Sequence, residues 1–291
     1  MKNLKLLLLT VVALLGLNAC EKMELGPEDL IVEKNEDNVF IRANMFSIVP
    51  FNDTRAMQNI TSYCNRLCFV IYQDDAQVKK VLQKQGDSDY GQVSLRLASG
   101  TYMLLVVGHS SLSNPSLTHP EEIKFTNTTG YTDTFYFYGE LEVTDEAQTH
   151  NVVLQRATSM LRIKVTDDIP DNAAKVWVHY TGGCGILDAT IGMGGQVKSQ
   201  QYTIFDAKAY NTPMIMPVYT FLPDDEGFLN VSIRAFDVDE NVIAEKEIKD
   251  VPMKHCMVTE YTGTLFTASM QDQSFSFEAD TSWEVYHQGS F

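Results

Sequence analysis

The stretch QVSLRLASGTYMLLVVGH, residues 92–109, contains two β-strand signatures on either side of a turn. In residues 93–97 valine and leucine alternate with polar residues, which is the period of a strand with one buried face and one wet face. Residues 99–100, Ser-Gly, then supply a turn. Residues 103–107 are apolar on both faces, as is typical of a strand inside a core. The stretch therefore predicts neighbouring strands in an antiparallel β-fold.

The same two signatures recur along the chain. Residues 161–165 and 229–235 alternate apolar with polar side chains, and residues 67–72 are apolar on both faces. Runs rich in Asp and Gly, such as residues 223–227, separate these segments as turns. Residues 75–85 form the one stretch with a helix-like pattern, and we favour a strand and a turn there as well. Many short strands without long amphipathic helices predict an all-β protein of the β-sandwich class.

The N-terminus has the features of a bacterial export signal. Lys2 and Lys5 precede a run of twelve apolar or small residues, Leu6 to Leu17. As a helix this run would be about 18 Å long, well short of the hydrocarbon core of a bilayer, which is about 30 Å thick. We therefore expect residues 1–19 to be a signal peptide and not a membrane span.

The end of this signal, Leu17-Asn18-Ala19-Cys20, resembles the lipobox of bacterial lipoproteins. In that motif a small residue precedes the cysteine whose thiol receives a diacylglycerol. The resemblance implies that the mature chain begins at an acylated Cys20, and that palmitate-type acyl chains hold the protein on a membrane. The alternative is a soluble secreted protein that is cut near Ala19.

The charge balance excludes two classes of partner. The chain has 22 basic and 38 acidic residues and a formal net charge of −16. Removal of the signal, which contains Lys2 and Lys5 and no acidic residue, leaves 20 basic and 38 acidic residues, a net charge of −18. Such a surface repels nucleic acid phosphates and anionic lipid headgroups, so we expect neither as a partner.

Four cysteines remain in the mature chain besides Cys20. An even number of cysteines in an exported protein permits two disulfides, and their spacing suggests the pairs Cys64–Cys68 and Cys184–Cys256. The equal alternative is four buried free thiols. The sequence leaves both alternatives open.

No motif points to catalysis, a cofactor or a metal. The glycine-rich residues 182–185 and 192–195 lack the Gly-Lys-Ser/Thr ending of a phosphate-binding loop. Residues 237–241 space two aspartates and an asparagine like calcium ligands, but Val242 and Ile248 replace the required glycine and glutamate, so we expect a hairpin turn. The histidines lack zinc-site spacing, and no nucleophile elbow is present. We therefore expect a protein that is not an enzyme.

The strand pattern also suggests how the chain is divided. The 291 residues less the 19 of the signal leave 272, enough for two ordinary domains. An aromatic strand at residues 134–141 and a pair of strands around residues 152–154 close the first half near residue 155, and residues 156–160 open the second half. The predicted division is a tether at 20–37, an N-terminal β-sandwich at 38–155, a C-terminal β-sandwich at 156–267, and a final strand or tail at 268–291.

Four stretches resemble one known family. Residues 64–72, 97–109, 154–165 and 251–266 are similar to strands of the FimB-like family, the lipoprotein anchor and minor subunits of type V pili. The resemblance covers most of the mature chain. It implies two tandem transthyretin-like, Greek-key β-sandwich domains and a role at the cell outer membrane in fimbrial assembly or adhesion.

The resemblance also implies partners and a maturation site. It implies binding to other fimbrial subunits by β-strand addition, contact with the membrane through the acyl chains on Cys20, and a surface-exposed location in a fimbrium. Stalk subunits of such pili are cut after an arginine near the end of the first strand, and Arg55, followed by Ala56, is the candidate here. A cut chain would be a shaft or tip component and an uncut chain a base. Alternatively, Arg55 is an ordinary solvated residue in a turn.

A second function from another class is a carbohydrate-binding outer-membrane lipoprotein of a glycan uptake system. Trp177, Trp283 and the many tyrosines are amphipathic aromatics that suit sugar rings. Exposed tryptophans on a concave face would favour this function. A buried Trp177, together with a groove beneath a missing strand, would oppose it.

Overall fold

The computed structural model describes residues 37–46, 57–58, 60–195, 200–267 and 285–291. Within these ranges the regular structure consists of strands and two single-turn 3-10 helices, Ile60–Ser62 and Ala207–Ala209, and no α-helix is present there. The prediction of an all-β fold is confirmed.

The strands divide between the two halves of the chain. The first half forms β1 (Val39–Phe46), β2 (Met57–Gln58), β3 (Arg66–Gln73), β4 (Ala76–Lys84), β5 (Gln92–Leu95), β6 (Gly100–His109), β7 (Ile123–Lys124), β8 (Phe135–Val143) and β9 (Gln148–Arg156). The second half forms β10 (Ser159–Val165), β11 (Lys175–Thr181), β12 (Ile186–Asp188), β13 (Met193–Gly194), β14 (Gln201–Asp206), β15 (Met214–Thr220), β16 (Glu226–Phe236), β17 (Val242–Lys254), β18 (Val258–Gly263) and β19 (Val285–Ser290). Strand β4 covers the stretch whose pattern was helix-like, so the preference for a strand is confirmed.

Eight of the nine strands of the first half form one continuous sheet that encloses a core, while β7 pairs with β12 of the second half in the small sheet β13-β12-β7. The order of the eight-stranded sheet is β2-β1-β9-β8-β6-β3-β4, with β5 beside β1. Strand β9 meets β8 only at its last two residues, whereas it runs along β1 for seven residue pairs. The sheet thus bends at β9, and the buried side chains of β1 and β9 share one N-terminal core with those of β3, β6 and β8.

Two four-stranded sheets in the second half enclose a separate C-terminal core. Their orders are β15-β10-β18-β19 and β14-β11-β16-β17. The alternating residues of β10 and β16 that the sequence assigned to a buried face lie in this core and are all at most 3 % exposed. The alternation of apolar residues therefore identified the buried face of both strands correctly.

A third, central core joins the two halves. It combines side chains of β3 and β6 with residues of the second half such as Cys184 and Phe221, and the rings of Phe125 and Phe221 lie 5.3 Å apart. This core explains why β3 and β6 are apolar on both faces. In β3, Phe69 faces the N-terminal core while Val70 faces the central core. Strand β9 ends at Arg156 and β10 begins at Ser159, and the division into two domains near residue 155 stays a prediction.

The junction between β9 and β10 is fixed by a buried ion pair. Arg156 donates from Nε and from a terminal nitrogen to the Asp133 carboxylate, each at 2.9 Å, and the Thr158 hydroxyl donates to the same carboxylate at 3.0 Å. The guanidinium also lies over the ring of Phe135, 5.1 Å from its centroid. Burial raises the pKa of Asp133, and these donors oppose that rise. The bidentate geometry orients the chain where it passes from one half to the other.

Candidate functional site

Strand β1 lies in the interior of its sheet and not at an edge. It pairs antiparallel with β5 over four residue pairs and parallel with β9 over seven. Its inward side chains Val39, Ile41 and Ala43 are 0, 1 and 7 % exposed and belong to the N-terminal core. Arg42 between them is exposed, so the strand alternates cleanly between core and solvent. Strand β1 therefore fills a slot between β5 and β9 whose floor is apolar.

The buried side chain of Asn38 fixes the start of β1. Its amide nitrogen donates to the carbonyl oxygens of Leu97 and Thr144, both at 3.0 Å, and its side-chain oxygen accepts from the Leu97 N–H at 3.0 Å. The backbone N–H of Asn38 donates to the Leu95 carbonyl, and its carbonyl accepts from the Gln148 N–H. One residue thus sets the position of β1 against both of its neighbours.

The C-terminal strand β19 lies at a sheet edge. It runs parallel to β18, and the described residues place no strand along its other side. The last described stretch before it ends in a clamp in which the Asp167 carboxylate accepts from the N–H groups of Leu265, Phe266 and Thr267 at 3.0, 2.7 and 2.7 Å. Burial favours a higher pKa for Asp167, but these donors together hold the pKa below its ordinary value. The outer side of β19 is thus a sheet edge whose main-chain groups could pair with another strand.

Three predicted site residues lie outside the described residues. They are Cys20, Arg55 and Ala56, and the predicted signal peptide and nearly all of the tether lie there too. Because β1 ends at Phe46 and β2 begins at Met57, Arg55 and Ala56 belong to the connection between these strands. In the part of the chain that the structure describes, no helix is long and apolar enough to span a membrane. The assignments of these three residues stay predictions.

The four other cysteines are free thiols in the structure. The suggested pairs Cys64–Cys68 and Cys184–Cys256 are not formed. Cys64, which precedes β3, packs in the N-terminal core, while Cys68 in β3 faces the central core, so the two thiols lie in different cores. The Cys256 thiol donates to the carbonyl of Arg156 at 3.0 Å. Burial raises the pKa of Cys64 to about 11 and those of Cys68 and Cys256 to about 12, so these thiols are protonated and poorly reactive at neutral pH.

The stretches that were considered for phosphate or calcium binding have ordinary structural roles: residues 182–185 form bends around Cys184, residues 237–241 form a hairpin turn, and Met193–Gly194 is strand β13. Gly182 has a φ of +96°, and a Cβ there would overlap the carbonyl oxygen of Phe228, so this position requires glycine. The Asp237 carboxylate accepts from the N–H groups of Asp239 and Asn241, both at 2.9 Å, and closes the hairpin between β16 and β17. Among the described residues, no group of three or more His, Cys, Asp or Glu side chains is placed to hold a metal ion.

A groove of about 560 Å³ lies on the outer face of the sheet β14-β11-β16-β17. The half-buried Trp177 forms part of it, with its ring 5.4 Å from that of Tyr202 at an interplanar angle of 80°. The ring of Phe236 on β16 lies 6.1 Å from the Trp177 ring. We call this the aromatic groove, and it is lined by Trp177, His179, Gln200, Tyr202, Ser232, Arg234 and Glu247. Trp283, the other tryptophan, lies outside the described residues.

Sequence reasoning identified Trp177 but none of its companions in the groove. His179, Tyr202, Ser232 and Glu247 come from four different strands, and the register places them in one row across the sheet. Each of these residues occupies an outward position of its strand, and outward positions can be inferred from the alternation of polar and apolar residues in the sequence. The pairing and register of the strands bring these residues together, and neither can be inferred from the pattern of a single strand.

Several solved structures are similar to this chain at low sequence identity. A candidate adhesin from Bacteroides ovatus is 14 % identical, with a TM-score of 0.47 over 75 % of this chain and 84 % of its own. The fimbrial anchor protein Mfa2 from Porphyromonas gingivalis is 12 % identical, with a TM-score of 0.41 over 72 % and 82 %. A fimbrial assembly protein from Parabacteroides distasonis is 9 % identical, with a TM-score of 0.41 over 78 % and 90 %.

Comparison with known sequences shows the family of the chain. No curated protein matches it. The sequence model of a family of unknown function, DUF6562, matches residues 32–287, which includes every strand described above except the last three residues of β19. The chain belongs to this family of unknown function.

Proposed function

We propose that this protein is a surface lipoprotein that acts as a fimbrial subunit, as the anchor or as a minor or tip component, and supports cell adhesion. The observation that carries the proposal is the position of β1. It is the first strand among the residues that the structure describes, it is internal to its sheet, and its inner face is buried. The candidate cleavage residue Arg55 follows its last residue, Phe46, by nine positions. The resemblance of residues 64–72 and 154–165 to FimB-like subunits supports the same function.

The physical logic is that of strand exchange. Without β1, the facing edges of β5 and β9 would present unpaired N–H and C=O groups above an apolar floor. A strand from a neighbouring subunit would supply the missing main-chain hydrogen bonds and alternate apolar side chains. Because donor and acceptor surfaces differ, such contacts join subunits head to tail and form a filament. An anchor would keep β1 and receive its neighbour at another edge, such as that of β19.

An engineered disulfide that holds β1 in place would distinguish a subunit that exchanges β1 from an anchor that keeps it. Phe40 in β1 lies directly opposite Ser94 in β5, at the separation of an antiparallel pair, about 4.5–5.5 Å between Cα atoms, which suits a disulfide. The double variant Phe40→Cys/Ser94→Cys should therefore hold β1 in place under oxidising conditions. If β1 is exchanged, the locked chain should stay out of fimbriae until a reductant is added. If the protein is an uncut anchor, locked and unlocked chains should support fimbriae equally.

The matched control is Phe40→Cys alone, which introduces a thiol without a partner. Sequencing of the mature N-terminus from the cell surface provides an independent measurement. A blocked, acylated Cys20 would indicate an anchor, and Ala56 would indicate a processed subunit. The fimbrial function itself is refuted if deletion of the gene changes neither the number, the length nor the attachment of fimbriae.

Lipid attachment is the second part of the proposal, and it rests on Leu17-Asn18-Ala19-Cys20. Acyl chains contribute about 0.8 kcal/mol per buried methylene, so two or more chains hold a protein at a membrane. Replacement of Cys20 with Ala should release the protein from the outer-membrane fraction. Continued membrane partition of the Cys20→Ala variant would remove the lipid anchor from the proposal.

A further inference from the structure

The outer face of the sheet β14-β11-β16-β17 is built like a ligand site and lies away from β1. The row formed by Tyr202, His179, Ser232 and Glu247 crosses all four strands of the sheet. Trp177 stands in the next row, opposite Arg234. The aromatic groove above these rows has a volume of about 560 Å³, within the range of about 300–1,000 Å³ that small-molecule sites occupy.

The aromatic side chains are held in place by one another. The edge-to-face contact with Tyr202 on one side and the contact with Phe236 on the other restrict rotation of the Trp177 ring. The Trp177 indole N–H is buried and has no acceptor among the described residues. Buried donors are normally bonded, so this orphan donor is an exception on a residue that lines the groove, and an oxygen bound beside it would satisfy it.

Polar groups surround these rings. His179 and Gln200 hydrogen-bond to each other at 3.0 Å between Nε2 and Oε1, which orients both side chains at the rim. Glu247 presents carboxylate oxygens that can accept hydroxyl protons, and Ser232 beside it can both donate and accept. The groove therefore combines aromatic rings with closely spaced neutral and acidic hydrogen-bonding groups.

The charges in the groove select against anions. Among the described residues, the one cation that lines it is Arg234, which is bonded to Glu245 at 2.6 Å, and Glu247 adds a second carboxylate nearby. The whole chain has a net charge of −16. A ligand for this groove should therefore be uncharged, should have an apolar face for the aromatic rings, and should carry hydroxyls at its edges. A neutral pyranose sugar meets all three requirements.

We propose that the aromatic groove is a binding site for a neutral oligosaccharide, with Trp177 and Tyr202 against a sugar ring and with Glu247 and His179 bonded to its hydroxyls. This proposal does not depend on Cys20, Arg55 or strand exchange. It assigns the molecule a recognition surface on the opposite half of the chain from β1.

Tryptophan fluorescence of the full chain, purified in detergent, provides the test. Because Trp177 and Trp283 are the only tryptophans, a Trp283→Phe background leaves Trp177 as the sole reporter. The probes are cellotetraose, maltotetraose and β-1,4-galactotetraose, with tetragalacturonate as the anionic comparison. We expect at least one neutral probe to cause a saturable change in emission, and tetragalacturonate to bind at least tenfold more weakly.

Variants that alter single groups locate the binding. With calorimetry as the readout, Trp177→Ala and Tyr202→Ala should each weaken binding by at least tenfold, and the rim variant Glu247→Gln by about threefold or more. The matched control is Ile204→Ala, because Ile204 is 52 % exposed on the same face, pairs with Trp177 and does not line the groove. It should bind like the parent chain.

Three outcomes would overturn the proposal. They are the absence of saturable binding by any neutral probe, tighter binding of tetragalacturonate than of every neutral probe, and binding that is equally strong in the Glu247→Gln and Tyr202→Ala variants and the parent. Far-ultraviolet circular dichroism of each variant separates loss of the site from loss of the fold. An unfolded Trp177→Ala variant would leave the decision to the other two variants.

Discussion

Replacement of Ile41 by Ala tests whether β1 is an integral part of its sheet. The Ile41 side chain is 1 % exposed and lies in the N-terminal core with Phe69 and Leu104. The substitution removes three carbon groups at about 0.8 kcal/mol each, or about 2.4 kcal/mol of transfer free energy. Because β5 and β9 hold β1 on both sides, the strand cannot move inward to fill the space, and the cavity adds about 1 kcal/mol. We therefore expect a loss of about 3–4 kcal/mol in the free energy of unfolding.

The matched control is Arg42→Ala, the next residue in the same strand, whose side chain faces solvent. Its expected effect is within about 0.5 kcal/mol. Urea unfolding followed by both circular dichroism and tryptophan fluorescence measures the difference, and coincident transitions justify a two-state treatment. At about 2–4 °C per kcal/mol, the Ile41→Ala variant should also melt roughly 6–16 °C lower. An Ile41→Ala effect below about 1 kcal/mol, or one no larger than that of Arg42→Ala, would refute the packing of β1 described here.

Three further predictions concern stability and reactivity. Because the pKa of Asp167 is lower in the folded chain than in the unfolded chain, its stabilising effect should be complete above about pH 4 and lost as the pH falls through the folded value. Asp167→Asn should therefore lower the melting temperature at pH 7 but have a shrinking effect below pH 4, and an equal effect at both pH values would contradict this. Gly182→Ala should destabilise the fold by about 2 kcal/mol more than Gly86→Ala, because both positions have positive φ but only the first leaves no room for a Cβ; equal melting temperatures would contradict this. In a Cys20→Ala chain at pH 8, an aromatic disulfide reagent should react slowly with the four remaining thiols when folded and rapidly in urea, and fast reaction of the folded chain would show that they are accessible.

The strands were predictable because alternation and burial are local properties. The alternating stretches at 161–165 and 229–235 became β10 and β16 with the expected faces buried. Residues 67–72 and 103–107 were expected to lie inside a core, and they do, but between two cores. That second contact depends on residues such as Phe221, which lies about 120–150 positions further along the chain. No local pattern specifies a partner at that distance.

The functional surfaces were less predictable, for a related reason. The inward positions of β1 were legible from the alternation of Val39, Ile41 and Ala43. Its internal place in the sheet follows from parallel pairing with β9, more than a hundred residues later. The aromatic groove likewise depends on the register of four strands. The cysteines show this limit most simply. Their spacing suggested disulfides, but Cys64, which precedes β3, packs in the N-terminal core, whereas Cys68 within β3 faces the central core.

The parallel pairing of β1 with β9 has a mechanical consequence. In the proposed anchored form, tension from the membrane would enter the fold at Asn38 and act along the axis of β1. Strands that are pulled lengthwise past each other load all of their cross-strand hydrogen bonds at once, whereas a hairpin pulled open at one end breaks them one after another. The seven pairs with β9 and the four with β5 would therefore share the load. The same strand that is a natural candidate for exchange would also be well placed to resist extraction while a cell is held against flow.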